Sequence, residues 1–238
     1  MKQAVQNLNK LRVANLDGGE RPLADPAASS GPVRCYFRDI EEHFLSELTE
    51  PGVDAVVGCV AWLTSKRILA ALAKKLFVSC VVQKEDFLRP DALSSAELRK
   101  AYQQLQNEIE RPELPGLVGQ LGLCDYPDVA AVRCVGNHNA AKQPSHPRMH
   151  HKFAVFCEVR GWSGRSRELQ SVELIPRKVW TGSFNFTQNG VQSLENAVVV
   201  SDSRIAEAYF REWEQIFALS EPLDWKTSWV APEYGIGS

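Results

Sequence analysis

Met149-His150-His151-Lys152-Phe153, with Thr181-Gly182-Ser183-Phe184-Asn185-Phe186 farther along, decides how this chain is read. Each run sets two polar side chains at alternate positions in otherwise strand-like sequence. On an extended strand, residues i and i+2 point the same way. His150 and Lys152 are therefore expected on one face of a first strand, and Ser183 and Asn185 on one face of the next. If the two strands are neighbours, an imidazole, an ammonium, a hydroxyl and an amide converge on one spot. Such a set holds a phosphate and includes a nucleophile.

Outward from these runs, strands alternate with helices. Short strands are expected over residues 33–37, 56–62, 77–82, 129–135, 179–185 and 196–201. Helical stripes are formed by Ile40, Phe44, Leu45 and Leu48; by Ile68, Leu69, Leu72 and Leu76; and by Leu98, Ala101, Leu105 and Ile109. Pro51-Gly52 ends the first helix, and Thr64 or Ser65 is placed to cap the second. Ile205, Tyr209, Trp213, Ile216 and Phe217 form the stripe of a C-terminal helix. The alternation predicts an α/β fold, with a mixed β-sheet flanked by helices. Residues 1–32 end in a Pro-, Ser- and Gly-rich run and read as a flexible arm. Residues 33–220 are expected to form the catalytic domain that carries this site, and residues 221–238 an irregular C-terminal tail. Between Arg160 and Pro176 a Ser-, Gly- and Arg-rich insertion is expected to form a hairpin.

The chain has 238 residues, 44% hydrophobic and 24% charged, enough to bury a sizeable core. Its net charge of −2 argues against a generic polyanion binder. Between Arg133 and Lys178, however, nine Lys/Arg face three Asp/Glu. A locally basic cleft on a mildly acidic protein steers an anionic ligand better than net charge suggests. The six cysteines, Cys35, Cys59, Cys80, Cys124, Cys134 and Cys157, form no Cys-x-x-Cys pair. They read as structural thiols in a reducing compartment. No secretory segment opens the chain and no apolar run is long enough to span a bilayer, so a cytoplasmic location without a membrane anchor is expected.

His150-His151-Lys152, Gly182-Ser183-Phe184-Asn185 and Glu195-Asn196-Ala197-Val198-Val199 together resemble the phospholipase D superfamily. Within it they are most similar to the small nucleases that carry a single motif. The likeness extends more loosely from Val33 to Phe217. It implies a phospholipase D-like fold, a central sheet flanked by helices with the site at one end. It also implies two copies of the motif per site. This chain carries one copy, so a homodimer is expected to supply the second. The family pattern has an aspartate five residues after the lysine, where this chain has Cys157. By strand parity that position lies opposite Lys152, so the aspartate reads as supporting structure.

The chemistry follows from the residue types. A neutral His150 imidazole can attack phosphorus and form a phosphohistidine. Lys152 neutralises non-bridging oxygens, while Asn185 and Ser183 hydrogen-bond to them. Glu195 is placed to accept a proton from His150 Nδ1 and so leave Nε2 free. In a homodimer the second His150 protonates the leaving oxygen. No His-Glu-x-x-His and no carboxylate cluster of the two-metal kind is present, so neither metal nor cofactor is expected. His151 points to the opposite face. Cys134, His138 and His146 lack the paired ligands of a zinc site. Arg148, His146, Arg165 and Arg167 are candidate substrate contacts, since backbone phosphates are held mainly by basic side chains. A metal-independent endonuclease acting on DNA or RNA is the leading reading. A phospholipase or phosphatidyltransferase of the same superfamily is a second. A catalytically silent nucleic-acid-binding dimer, suggested by Cys157, is a third.

Overall fold

The computed structural model describes residues 6–83, 95–105, 112–113, 130–136, 148–160 and 172–223. Two short strands, β1 (Arg12–Ala14) and β2 (Glu20–Pro22), pair only with each other. The other strands are β3 (Ala28–Ser30), β4 (Val33–Tyr36), β5 (Ala55–Val60), β6 (Phe77–Gln83), β7 (Pro112–Glu113), β8 (Val132–Val135), β9 (Lys152–Arg160), β10 (Val172–Gly182), β11 (Ala197–Val200) and β12 (Glu221–Pro222). They form one 10-stranded sheet in the order β12-β8-β6-β5-β9-β10-β11-β4-β3, with β7 paired to β10. The helices are α1 (Ile40–Thr49), α2 (Lys66–Leu72), α3 (Ser95–Gln103), α4 (Gln188–Gln192) and α5 (Ser203–Ala218). The pairs β5–β6 and β6–β8 are parallel, whereas β5–β9, β9–β10, β10–β11 and β11–β4 are antiparallel. The sheet is mixed and flanked by helices, as the alternation of elements predicts.

Strand alternation divides the core into two layers. Val56, Val60, Ala154, Phe156 and Trp180 pack with Phe44 and Leu48 of α1, Ile68 and Leu72 of α2, and Leu98 of α3. Their neighbours Val57, Val81, Val155 and Cys157 pack on the other face with Phe210, Trp213 and Phe217 of α5. Each fully buried Phe or Leu contributes about 1.5–3 kcal/mol, so these two layers, rather than helix propensity, hold the short helices. The helix starts are capped locally. Ser65 Oγ accepts from Ile68 N (3.3 Å), and Asp202 Oδ1 accepts from Arg204 N and Ile205 N (2.9 and 3.0 Å).

Several boundaries differ from the sequence reading. The strand expected over residues 179–185 begins earlier, at Val172, and ends at Gly182. It therefore forms an antiparallel hairpin with β9 across the insertion, and pairing shifts register between Pro176 and Lys178. Proline has no N–H for the ladder, which accounts for an irregularity at that point. Of the α5 stripe, Ile205 is exposed, and Ala206 and Phe210 take the buried positions. Counting back from Trp213 by three and seven gives those two residues, and Ile205 falls off that face. The third helix ends at Gln103, before Leu105; Ile109 lies outside the described residues. Within the segment read as an arm, β3 adds to the sheet edge along β4. Asn9 Nδ2 donates to the carbonyls of Val191 (3.2 Å) and Ser193 (2.8 Å) at the C-terminal end of α4. At the other end of the chain, β12 pairs with β8, and residues 224–238 lie outside the described set.

Candidate active site

The polar residues gather at one end of the sheet. There β5, β10 and β4 finish while β9 and β11 begin, as the registers Val60↔Lys152, Gly182↔Ala197 and Ala197↔Tyr36 require. Lys152 opens β9 and is 9% exposed, whereas His150 lies just outside the strand and is exposed. The backbone between them is pinned, because Ala61 N donates to His151 O (2.8 Å). Lys152 Nζ lies 3.1 Å from His150 Nε2 and donates to the His150 carbonyl at 3.0 Å. An ammonium has donors only, so Nε2 is the acceptor and a neutral ring carries its proton on Nδ1. Burial holds the Lys152 ammonium below the ordinary lysine range; the Glu195 carboxylate opposes this shift and Arg148 adds to it.

The second polar run is built differently from the strand face expected of it. The chain leaves β10 at Gly182, where any side chain would collide with the carbonyl of Asn196. Beyond it, Ser183 N donates to Asn196 O (3.1 Å) and Asn196 N donates to Ser183 Oγ (3.0 Å). Ser183 Oγ in turn donates to Glu195 Oε2. Ser183 thus ties the end of β10 to the residues entering β11, and it does not share a strand face with Asn185. Phe184 and Phe186, both fully buried, hold the segment around Asn185. Phe186 N donates to Trp62 O, and Phe186 O accepts from Thr64 N and Ser65 N. Thr187 N donates to Asn185 O (2.7 Å), and Gly190 of α4 comes so close to that carbonyl that a Cβ there would overlap it. Asn185 Oδ1 is buried and has no hydrogen-bond partner among the described residues. A buried acceptor left open in this way costs about 1–3 kcal/mol unless a donor completes it.

Other expectations are answered residue by residue. His151 faces the α5 side, with Nε2 3.5 Å from Glu212 Oε1 and its ring 5.6 Å from that of Phe153. Cys157 is fully buried among the residues that face α5, on the side opposite Ala154 and Phe156. Burial pushes its thiol far above the usual range, so it is an inert apolar side chain. Arg148 sits two residues before His150; His146, Arg165 and Arg167 lie outside the described residues. Among the described residues, no group of three or more His, Cys, Asp or Glu side chains is placed to hold a metal ion, and no helix is long and apolar enough to cross a membrane.

Two residues at the site end have a place there that sequence alone does not show: Trp62, which reads as core at a strand end, and Arg38. Trp62 follows β5, and its ring meets that of His150 edge to face, 5.9 Å between centroids at 81°. An aromatic at a strand end has the look of core, and only the pairing of β5 with β9 reveals the contact. Arg38 follows β4 at the same sheet end, beside Asp39, whose φ of 47° is left-handed. Its Nη1 donates to Phe37 O (2.7 Å), while its Nε is buried and has no hydrogen-bond partner among the described residues. A lone arginine offers no motif by which sequence finds it.

No protein-family model matches the chain. It is 27% identical over 238 residues to an uncharacterized protein of Acanthamoeba polyphaga mimivirus, covering 93% of this chain and 75% of that protein. Nuc from Salmonella typhimurium, a phospholipase D family member, aligns in structure with a TM-score of 0.46 at 15% identity, over 79% of this chain and 95% of Nuc. NucT from Helicobacter pylori aligns with a TM-score of 0.44 at 12% identity, over 80% of this chain and 98% of NucT. Likeness at this level assigns no role to any side chain.

Proposed function

We propose that the protein is a metal-independent phosphodiesterase that cleaves nucleic acid through a phosphohistidine on His150. One observation carries the reading: a lysine ammonium 3.1 Å from the Nε2 of an exposed histidine at the end of a sheet. That lysine holds Nε2 as the unprotonated nitrogen until a phosphate takes its place between the two. Nε2 then attacks phosphorus, a P–N bond forms, and the P–O bond to the leaving strand breaks. Lys152 and the Asn185 amide stabilise the charge on the non-bridging oxygens. Glu195 fixes Ser183 and favours the charged form of Lys152.

The leaving oxygen needs a proton while His150 is occupied with phosphorus. One imidazole cannot do both, and this supports a homodimer in which the partner's His150 donates it. The same imidazole then takes a proton from the water that attacks phosphorus and breaks the P–N bond. The position of Cys157, away from Lys152 and inside the apolar layer, supports reading the family's missing aspartate as structural rather than chemical.

The test is incubation of single- and double-stranded DNA, RNA and phospholipid with the protein in excess chelator, alongside His150→Ala. Chelator-resistant cutting of nucleic acid that disappears in the variant is expected. Turnover of phospholipid instead, or tight nucleic-acid binding without any cutting, overturns the proposal.

A further inference from the structure

Trp62 differs from the large aromatics that fill the two apolar layers. Trp180, Phe156, Phe184 and Phe186 are almost fully buried in one apolar layer and Trp213 in the other, whereas Trp62 is half-buried and belongs to neither layer. Its backbone is nevertheless clamped between both polar runs. Ala61 N, one residue earlier, donates to His151 O (2.8 Å), and Trp62 O accepts from Phe186 N (3.2 Å). The indole is thus carried on a fixed backbone against the His150 ring, 5.9 Å between centroids, and Lys152 Nζ lies 3.1 Å from Nε2 of that same ring. An aromatic surface beside a cation is the pairing by which proteins hold single-stranded nucleic acid. The ring stacks on a base and the cation takes the phosphate. In a duplex the bases stack on one another and leave no face for such a ring.

We propose that Trp62 is the platform on which the base next to the scissile phosphate stacks, giving the site a preference for single-stranded nucleic acid. This rests on the phosphodiesterase reading, yet its binding arm is separable from turnover. Binding is measured by fluorescence anisotropy on His150→Ala protein, using a single-stranded oligonucleotide, an abasic oligonucleotide of equal length and a blunt duplex. The single strand is expected to bind more tightly than the abasic strand or the duplex. Trp62→Leu should lose roughly ten- to one-hundred-fold for the normal strand and so erase its advantage over the abasic one. Trp62→Phe should retain most of that advantage, which controls for disturbed folding. An advantage undiminished in Trp62→Leu, or equal losses for normal and abasic strands, overturns the proposal; the latter makes Trp62 only a support for the backbone of the site. If wild-type protein cuts nothing but the Trp62-dependent advantage is present, the phosphodiesterase reading fails and the platform stands. If His150-dependent cutting occurs and the advantage is absent, the platform alone fails.

Discussion

Lys152 is held beneath the sheet end with its ammonium against both the ring nitrogen and the carbonyl of His150. Lys152→Met keeps the length and removes the charge, so kcat is expected to fall by about 10²–10³ in a cutting assay, as when one stabilising donor is removed. Because burial lowers its proton affinity, Lys152 loses its proton at a lower pH than an ordinary lysine. The alkaline limb of the pH–rate profile should therefore fall below pH 10.5, the unperturbed value. The sign for stability is opposite. The unfolded chain binds this proton more firmly, so protonation disfavours the native state, and that penalty is relieved as pH rises through the folded pKa. A limb unmoved by Lys152→Met assigns the titration elsewhere. At this scale the sequence was legible where alternation governs: His150 and His151 take opposite environments, and Cys157 falls in the layer away from Lys152. It was not legible where the chain leaves the strand. Gly182 ends β10 because β11 passes too close for a side chain, and nothing in Gly-Ser-Phe-Asn announces that approach.

Among the elements, β10 and α5 carry buried charge with consequences for stability. Lys178 of β10 donates to Glu47 Oε2 and Glu50 Oε2, both at 2.6 Å, and lies over the Phe156 ring. Lys178→Met leaves the buried Glu47 with Arg34 as its one charged partner among the described residues. A loss of about 3 kcal/mol is expected in urea unfolding, because the remaining carboxylate stays desolvated. A change within a few tenths of a kcal/mol contradicts the account. Glu214 of α5 is buried, and desolvation, aided by Glu207 and opposed by Arg211, raises its carboxyl from 4.5 to about 7. The native state thus holds this proton more tightly than the unfolded chain. Its contribution is fully present below pH 4.5 and is lost as pH rises through about 7. Glu214→Gln should flatten the fall in Tm between pH 4.5 and about 7, the window those two values bracket; an unchanged slope contradicts this. Periodicity revealed the existence of α5, but not that Ile205 lies outside its buried face. A stripe names residues of one helix and says nothing of where the sheet beneath it ends.

Over the whole molecule, the order β5-β9-β10-β11-β4 brings segments from distant parts of the chain to one sheet end. Short strands and amphipathic helices made the mixed α/β class readable. The order of the strands, and hence the meeting of Trp62 and Arg38 with that end, was not, because pairing partners leave no periodic trace. Light scattering of the full chain is expected to give a dimer, and a strictly monomeric active enzyme would contradict the shared-acid mechanism. The most direct measurement stops a reaction on a labelled oligonucleotide under denaturing alkaline conditions and maps the labelled peptide by mass spectrometry. The account predicts an acid-labile oligonucleotide adduct on His150, absent from His150→Ala. Cutting that proceeds undiminished in His150→Ala, with no adduct on this residue at any time, would contradict it.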